Sequence, residues 1–377
     1  MADTHIWDGS GSTGVDLPAN WQSGVTPVAG DSIIVPAGND HAIAGVTTAA
    51  VTINAVSIGT TGTITVVDTL GLMTGAYVAI AAIVGTVGDI LNGNSYWVSI
   101  TGLVLTPYTD AAMTVPVDTS GKAYTSGGTA TRAVPALVTV TIMPGYTGTV
   151  GSSTDGKPLP LPIGATTLNL AGTGQSYIDL DANGTATCNV TAAAASPGKG
   201  QFGLALTSAD TVANLNIDLD SGESVGVAAL AGQTATFTNV NIDGGGTVVL
   251  GSGMATITAL AIRGTGTVYI DCTYTALTIN GTPTVYQRSG AGTTLLCQGG
   301  RFYNNTTGTI TTTSIFPGAT VDCTEGPQAR AMTTINNYGG LFDDSNARTT
   351  WTAINRYCGD ECFKLGTNWK MGARAAI

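Results

Sequence analysis

Apolar and polar residues alternate along most of this chain in short runs, and the runs recur. Val240-Asn-Ile-Asp-Gly-Gly-Gly-Thr-Val-Val-Leu250 is followed twenty residues on by Leu260-Ala-Ile-Arg-Gly-Thr-Gly-Thr-Val-Tyr-Ile270. Leu277-Thr-Ile-Asn-Gly-Thr-Pro-Thr-Val-Tyr286 comes seventeen residues later. Each unit is an apolar-x-Ile strand, a glycine-bearing corner and a Thr-Val-x-apolar strand. Thr334-Ile-Asn-Asn-Tyr-Gly339 is echoed nineteen residues on by Ala353-Ile-Asn-Arg-Tyr-Cys358, while Leu296–Phe302 and Ser314–Val321 fit the plan more loosely. A two-residue alternation places every second side chain on one face of a strand. A repeat of about 17–22 residues holding two such strands and a corner is the pattern of a β-solenoid coil, which buries its inward face only by stacking on its neighbours. The expected registry sends Ile242, Ile262 and Ile279 to one inward ladder and Val248, Val268 and Val285 to another. About eight coils between Thr211 and Phe363, at ~4.8 Å per coil, predict a rod on the order of 40 Å long. A β-sandwich of hairpins also spaces its strands regularly. The solenoid is preferred because one coil motif recurs, and not merely strands.

The front of the chain is patterned differently. Ile6-Trp-Asp-Gly9, Asn20-Trp-Gln-Ser-Gly-Val-Thr-Pro27 and Gly30-Asp-Ser-Ile-Ile-Val-Pro36 put two tryptophans beside turn residues, as expected of a cap over the open end of a solenoid. From Ile58 to Arg132 the punctuation changes to Asn-Gly and Gly-Gly turns between alternating strands, the pattern of a compact antiparallel barrel or sandwich. Repeat-like sequence resumes at Val134, so the small domain is expected to interrupt the larger one. The fold class expected is all-β: a right-handed parallel β-helix (solenoid) with an inserted small antiparallel β-barrel or sandwich. The divisions are 1–57 for the cap and first strands, 58–132 for the insertion, 133–325 for the β-helix body, and 326–377 for the C-terminal coils and tail.

Composition narrows the function. Glycine contributes 52 of 377 residues and charged residues only 10%, but 43% are hydrophobic, which argues against disorder. A formal charge of −11 without a basic patch argues against nucleic-acid binding. The first residues lack the n- and h-regions of a signal peptide, and the most apolar window, Tyr77 to Val87, is too short and glycine-rich to span a bilayer as a helix. Cytoplasmic synthesis without a membrane partner is the expectation, and it predicts reduced, buried thiols for Cys188, Cys272, Cys297, Cys323, Cys358 and Cys362. Cys358 and Cys362, four apart, are the one pair spaced for a small disulfide loop or for half of a metal site.

The front and the insertion also carry a resemblance. Trp7-Asp-Gly, Asn20-Trp, Gly24-Val-Thr-Pro27 and Gly30-Asp-Ser-Ile-Ile-Val35, with Ser176-Tyr-Ile-Asp-Leu180 and the glycine-cornered coils, resemble tailed-bacteriophage structural proteins that open this way and continue as parallel β-helices. Leu72, Thr74-Gly75, Val78, Leu91-Asn-Gly93, Trp97 and Tyr124-Thr-Ser-Gly-Gly-Thr129 resemble the small β domain, related to the first catalytic-cysteine-half domain of ubiquitin-activating enzymes, that recurs in phage virion proteins. The resemblance implies a non-enzymatic virion component and a homotrimer, with the major capsid protein or another virion protein as partner. Within that class a capsid-decoration (cement or minor head) protein is favoured over a tail fibre or tailspike that binds host glycans, because no coiled-coil stalk or aromatic-rich tip is encoded.

Candidate chemistry is sparse, and no catalytic, cofactor-binding or metal residue is assigned. Asp179-Leu-Asp181-Ala-Asn183-Gly184 matches the first half of a calcium loop, but the twelfth position, where a bidentate Glu is needed, is Val190. It reads as a turn. Asp218, Asp220 and Glu223 offer paired carboxylates of the kind that cleave glycosides, but no aromatic cluster accompanies them. Asp343-Asp344 and Asp360-Glu361 read as exposed corners that discourage edge-to-edge aggregation. With histidines only at His5 and His41, no Ser-His-Asp or Cys-His set is expected, and no Walker loop or dinucleotide fingerprint occurs.

Overall fold

The alternation becomes strands almost everywhere. A computed structural model describes residues 3–9, 18–24, 27, 31–38, 41–43, 50–69, 76–110, 112–132, 138–151, 159–160, 167–172, 174–179, 187–191, 203–206, 211–229, 233–251, 253–326 and 329–366. The chain forms two compact units, one of residues 1–165 with 177–179 and one of residues 166–176 with 180–377.

In the second unit the coils run as the repeat predicts. Thr211–Leu219, Ala235–Gly244, Met254–Ile262, Thr273–Ile279, Gly292–Cys297, Thr309–Ile315, Arg330–Asn337 and Thr349–Arg356 lie side by side in one parallel sheet. Ser224–Ala229, Thr247–Leu250, Thr267–Ile270, Thr284–Gln287, Arg301–Asn304, Thr320–Asp322, Leu341–Asp344 and Phe363–Leu365 form the other. Each strand reaches its parallel neighbour by way of a strand in the opposite sheet, which satisfies the long crossover that parallel pairing demands. Ile242 pairs with Ile262 and Ile262 with Ile279, while Val248 pairs with Val268 and Val268 with Val285. All six are buried, each stabilising the stack by roughly 1.5–3 kcal/mol. The sheets pass without a break from Thr309–Ile315 to Arg330–Asn337 and from Thr320–Asp322 to Leu341–Asp344, so no boundary falls at 325.

The corners are held by stacked backbone. Gly264 has φ +93°, and a Cβ there would lie 2.2 Å from the carbonyl oxygen of Gly244. One coil lies on the next too closely for any side chain at this column.

The ladders change character toward the end of the chain. Tyr274 points inward because Gly292 leaves room for its ring, and its hydroxyl donates to Gln287 Oε1 at 3.0 Å. Gln287 and Asn304 then replace the Leu250 and Ile270 of earlier coils, and Asp322, Arg330, Asn337 and Asp344 are buried as well. Asp344 corrects the expectation of an exposed corner. It is fully buried, and its carboxylate accepts the backbone N–H groups of Arg348 and Thr349.

In the first unit Thr4–Ile6 pairs in parallel with Ser32–Val35, which pairs with Thr139–Ile142. Those last two strands bracket the insertion. The insertion is a closed antiparallel barrel of Val51–Ser57, Thr63–Val66, Val104–Tyr108, Asn94–Thr101, Ala76–Ala81 and Thr129–Arg132, in that order around the wall. It begins at Val51, earlier than the expected boundary at 58, because Val51 and Ile53 point into the barrel core with Ile64, Val78, Val98 and Leu105. The short helix Gly88–Leu91 seats Leu91 in that core, and the Asn92 side chain closes on both the N–H and the C=O of Ile83. Leu72 and Thr74-Gly75 lie outside the described residues.

Candidate functional surface

Two sets of outward side chains bond to one another along the solenoid. Asn169, Asn189, Asn216 and Asn241 stand in register, each amide nitrogen donating to the side-chain oxygen of the residue before it at 2.9–3.0 Å. Asn239 donates to Asn214 in the same way, as Asn355 does to Asn336. On the other sheet Tyr269, Tyr286 and Tyr303 stack with centroids 5.2 and 4.5 Å apart. The Arg288 guanidinium lies 4.7 Å from the Tyr269 ring and that of Arg301 4.7 Å from the Tyr303 ring. Those arginines pair in turn with Asp271 and Asp322. Ring faces that carry a neighbouring ring or a guanidinium are closed to a sugar, which binds aromatics through an open face. A second stack joins Phe316, Tyr338 and Tyr357.

Asp218 is exposed opposite Asp243, whose carboxylate lies 3.7 Å from Arg263. Asp220 is exposed, and its N–H donates to Glu223 Oε2 at 2.9 Å, closing a tight turn. The tyrosine column stops short of them, since Gly226 and Val249 hold its positions in the two nearest coils. Asp360 and Glu361 are exposed on a single 3-10 turn, with Asp360 paired to Arg356. Asp343 is half-buried, 3.8 Å from Lys364. Of the calcium-like run, residues 180–186 lie outside the described residues. A shallow pocket of about 140 Å³, lined by Ala331, Met332, Thr333, Thr350, Trp351 and Thr352, holds no titratable group.

The cysteines are free thiols. Burial pushes the Cys272, Cys297 and Cys323 thiols up to about 12. Cys358 is also pushed up to about 12, first by burial and then by its hydrogen bond to Cys362. Thiols held protonated at neutral pH are poor nucleophiles and poor metal ligands. Among the described residues no three His, Cys, Asp or Glu side chains are grouped to hold a metal ion.

One arrangement escaped the sequence reading. His5 places Nδ1 3.1 Å from Ser23 Oγ and Nε2 3.0 Å from Asp31 Oδ2, bringing together Ser, His and Asp from three separated stretches. His5 and Asp31 are buried beside the edge-packed Trp7 and Trp21, and Asp31 Oδ1 accepts the Asp3 N–H. Acyl transfer also needs free N–H donors at the oxyanion. The amides on either side of Ser23 are committed, Gln22 to the Ile6 carbonyl and Gly24 to that of Trp21. The trio knits the cap together. His41 contributes its carbonyl to the Tyr146 hydroxyl.

No protein-family model matches this chain, and a search of curated proteins finds no significant match. No described helix is long and apolar enough to cross a membrane.

Proposed function

We propose that the protein is a non-enzymatic structural component of a bacteriophage particle, a capsid-decoration protein that binds the head surface as a homotrimer. The observation that carries this reading is that two sets of outward side chains satisfy one another along the stack. Asparagine ladders, tyrosine stacks and their arginine caps bond along the sheets and leave broad stiff faces. Stiff faces with few charges suit docking on a lattice, because little side-chain entropy is lost on contact. Trimerisation would cover outward apolar groups such as Tyr338 and Tyr357. The test is reconstitution. Purified chain, three copies per particle by sedimentation equilibrium, should rebind heads from which it has been stripped, and a monomer that ignores heads would sink the proposal.

The second reading is a tail fibre or tailspike adhesin that binds host surface glycans; a depolymerase activity added to it would use the exposed acids Asp218 and Asp220. That activity predicts clearing of capsular polysaccharide by the purified chain, abolished in Asp218→Asn or Asp220→Asn. Absence of clearing removes the depolymerase activity, and absence of binding to host polysaccharide removes the reading.

A further inference from the structure

Two described turns carry the dipeptide Asn-Gly: Asn92-Gly93 in the barrel and Asn280-Gly281 in the solenoid. A third, Asn183-Gly184, lies outside the described residues. Asparagine is a thermolabile side chain, and a following glycine exposes it most to attack by its own backbone. The glycine nitrogen can reach the side-chain amide carbon and close a five-membered ring, with no side chain in the way. In a folded protein the outcome is set by what holds the two reacting groups. The fold treats these two turns in opposite ways.

Asn92 is locked. Its Oδ1 accepts the Ile83 N–H at 2.8 Å, and its Nδ2 donates to the Ile83 carbonyl at 2.8 Å. The attacking atom is committed too, because the Gly93 N–H donates to the Ile80 carbonyl at 2.9 Å. The amide also has a wall beside it: a Cβ at Gly88 would lie 2.6 Å from Asn92 Nδ2.

Asn280 is open. It sits at the corner between Thr273–Ile279 and Thr284–Gln287. The amides flanking the reacting one are tied to the preceding coil, Asn280 N–H to the Ile262 carbonyl and Thr282 N–H to that of Gly264, both at 2.9 Å. Between them, the Gly281 N–H has no partner among the described residues, and no hydrogen bond holds the Asn280 side chain there. Gly281 is exposed, with φ +78°, so water and hydroxide reach the bond.

The neighbours accommodate the product as well. Asn280 follows Ile279 as Arg263 follows Ile262 and Asp243 follows Ile242, and these isoleucines pair coil to coil. Arg263 lies 3.7 Å from Asp243 and has Asn280 in the coil on its other side. Coils are about 4.8 Å apart, so a carboxylate at position 280 would stand beside a guanidinium and not beside another acid.

We propose that Asn280-Gly281 is a site of spontaneous deamidation in the folded protein, with water as the only co-reactant. The Gly281 nitrogen, its proton lost to hydroxide, attacks Asn280 Cγ. A C–N bond forms, and Nδ2 takes up a proton and leaves as ammonia. Water then opens the succinimide at one carbonyl to give aspartate, or at the other to give isoaspartate. In sum an amide and a water become a carboxylate and ammonium, with no change of oxidation state. Each event makes the formal charge of −11 one unit more negative. The proposal does not depend on the capsid reading.

The test follows the full native chain through incubation at mildly alkaline pH, with samples digested and read by mass spectrometry. The fragment containing Asn280 should become one mass unit heavier and split into two chromatographic forms, at a rate that rises with pH. The Asn280→Asp variant supplies the authentic aspartate product and should co-elute with one of them. Asn92 should convert at least about tenfold more slowly, because its side-chain and Gly93 hydrogen bonds must break first. In denaturant the two sites should convert at similar rates, which separates the effect of the fold from that of the dipeptide. Asn280 that stays intact in the folded chain overturns the proposal, as does an Asn92 that converts as fast as Asn280.

Discussion

Single side chains decide how tightly one coil sits on the next. Gly264 and Gly222 share a φ of +93°, but a Cβ at Gly264 meets the Gly244 carbonyl at 2.2 Å whereas at Gly222 it meets nothing within 4 Å. Gly222→Ala should cost only the backbone term, about 1 kcal/mol, and Gly264→Ala about 2–4 kcal/mol because the coils must also part. Chemical denaturation of the two variants checks the difference, and equal costs would mean that corner contact does not limit stacking. Ile262, buried between Ile242 and Ile279, should lose about 2–5 kcal/mol on change to Ala. Asp322 makes a pH-dependent contribution. Burial pushes its carboxyl up, but hydrogen bonds from Thr324 and Arg301 outweigh this and hold it below the ordinary carboxylate value. A depressed folded-state value stabilises above the unfolded value of ~3.9 and is lost as pH falls through the folded one. Unfolding free energies of native protein and Asp322→Asn, from chemical denaturation, should therefore differ at pH 7 by about 1–2 kcal/mol and converge in strong acid.

At the scale of elements, the strands were legible and their lateral neighbours only partly so. The Ile242–Ile262–Ile279 and Val248–Val268–Val285 ladders follow from the repeat itself, because a period fixes registry once a coil is assumed. The barrel's first strand was misplaced by seven residues, since Val51–Ser57 alternates like the cap strands before it and only closure of the wall at Val51–Ala130 distinguishes it. The asparagine ladder was hidden for a related reason. Asn169, Asn189, Asn216 and Asn241 each stand between two apolar residues, but their spacings of twenty, twenty-seven and twenty-five residues are irregular because the corners differ in length. The cap trio of Ser23, His5 and Asp31 was invisible because its members are brought together by strand pairing between Thr4–Ile6 and Ser32–Val35, not by spacing. An exposed Asp344 is the expectation because a charged pair at a turn usually is exposed, but its burial depends on the backbone N–H groups of Arg348 and Thr349 across the same turn. The thiols give a prediction at this scale. Since they are free and those at Cys272, Cys297 and Cys323 are held protonated in the core, reductant should leave the melting temperature unchanged. Ellman's reagent should reach these three only on denaturation. A fall in melting temperature with reductant would reveal a disulfide the fold does not contain.

For the whole molecule, a parallel stack of coils converts a short sequence motif into wide faces of repeated chemistry. One face is closed by stacked tyrosines and arginines and another by asparagine amides. The proposed reading as a capsid-decoration protein rests on broad faces of repeated, sparsely charged side chains. It is tested most directly by where the protein sits. Antibodies raised against the purified chain, applied to phage particles that incorporate it and viewed by electron microscopy, should label the head at regular intervals. Label confined to the tail or its tip would contradict the account.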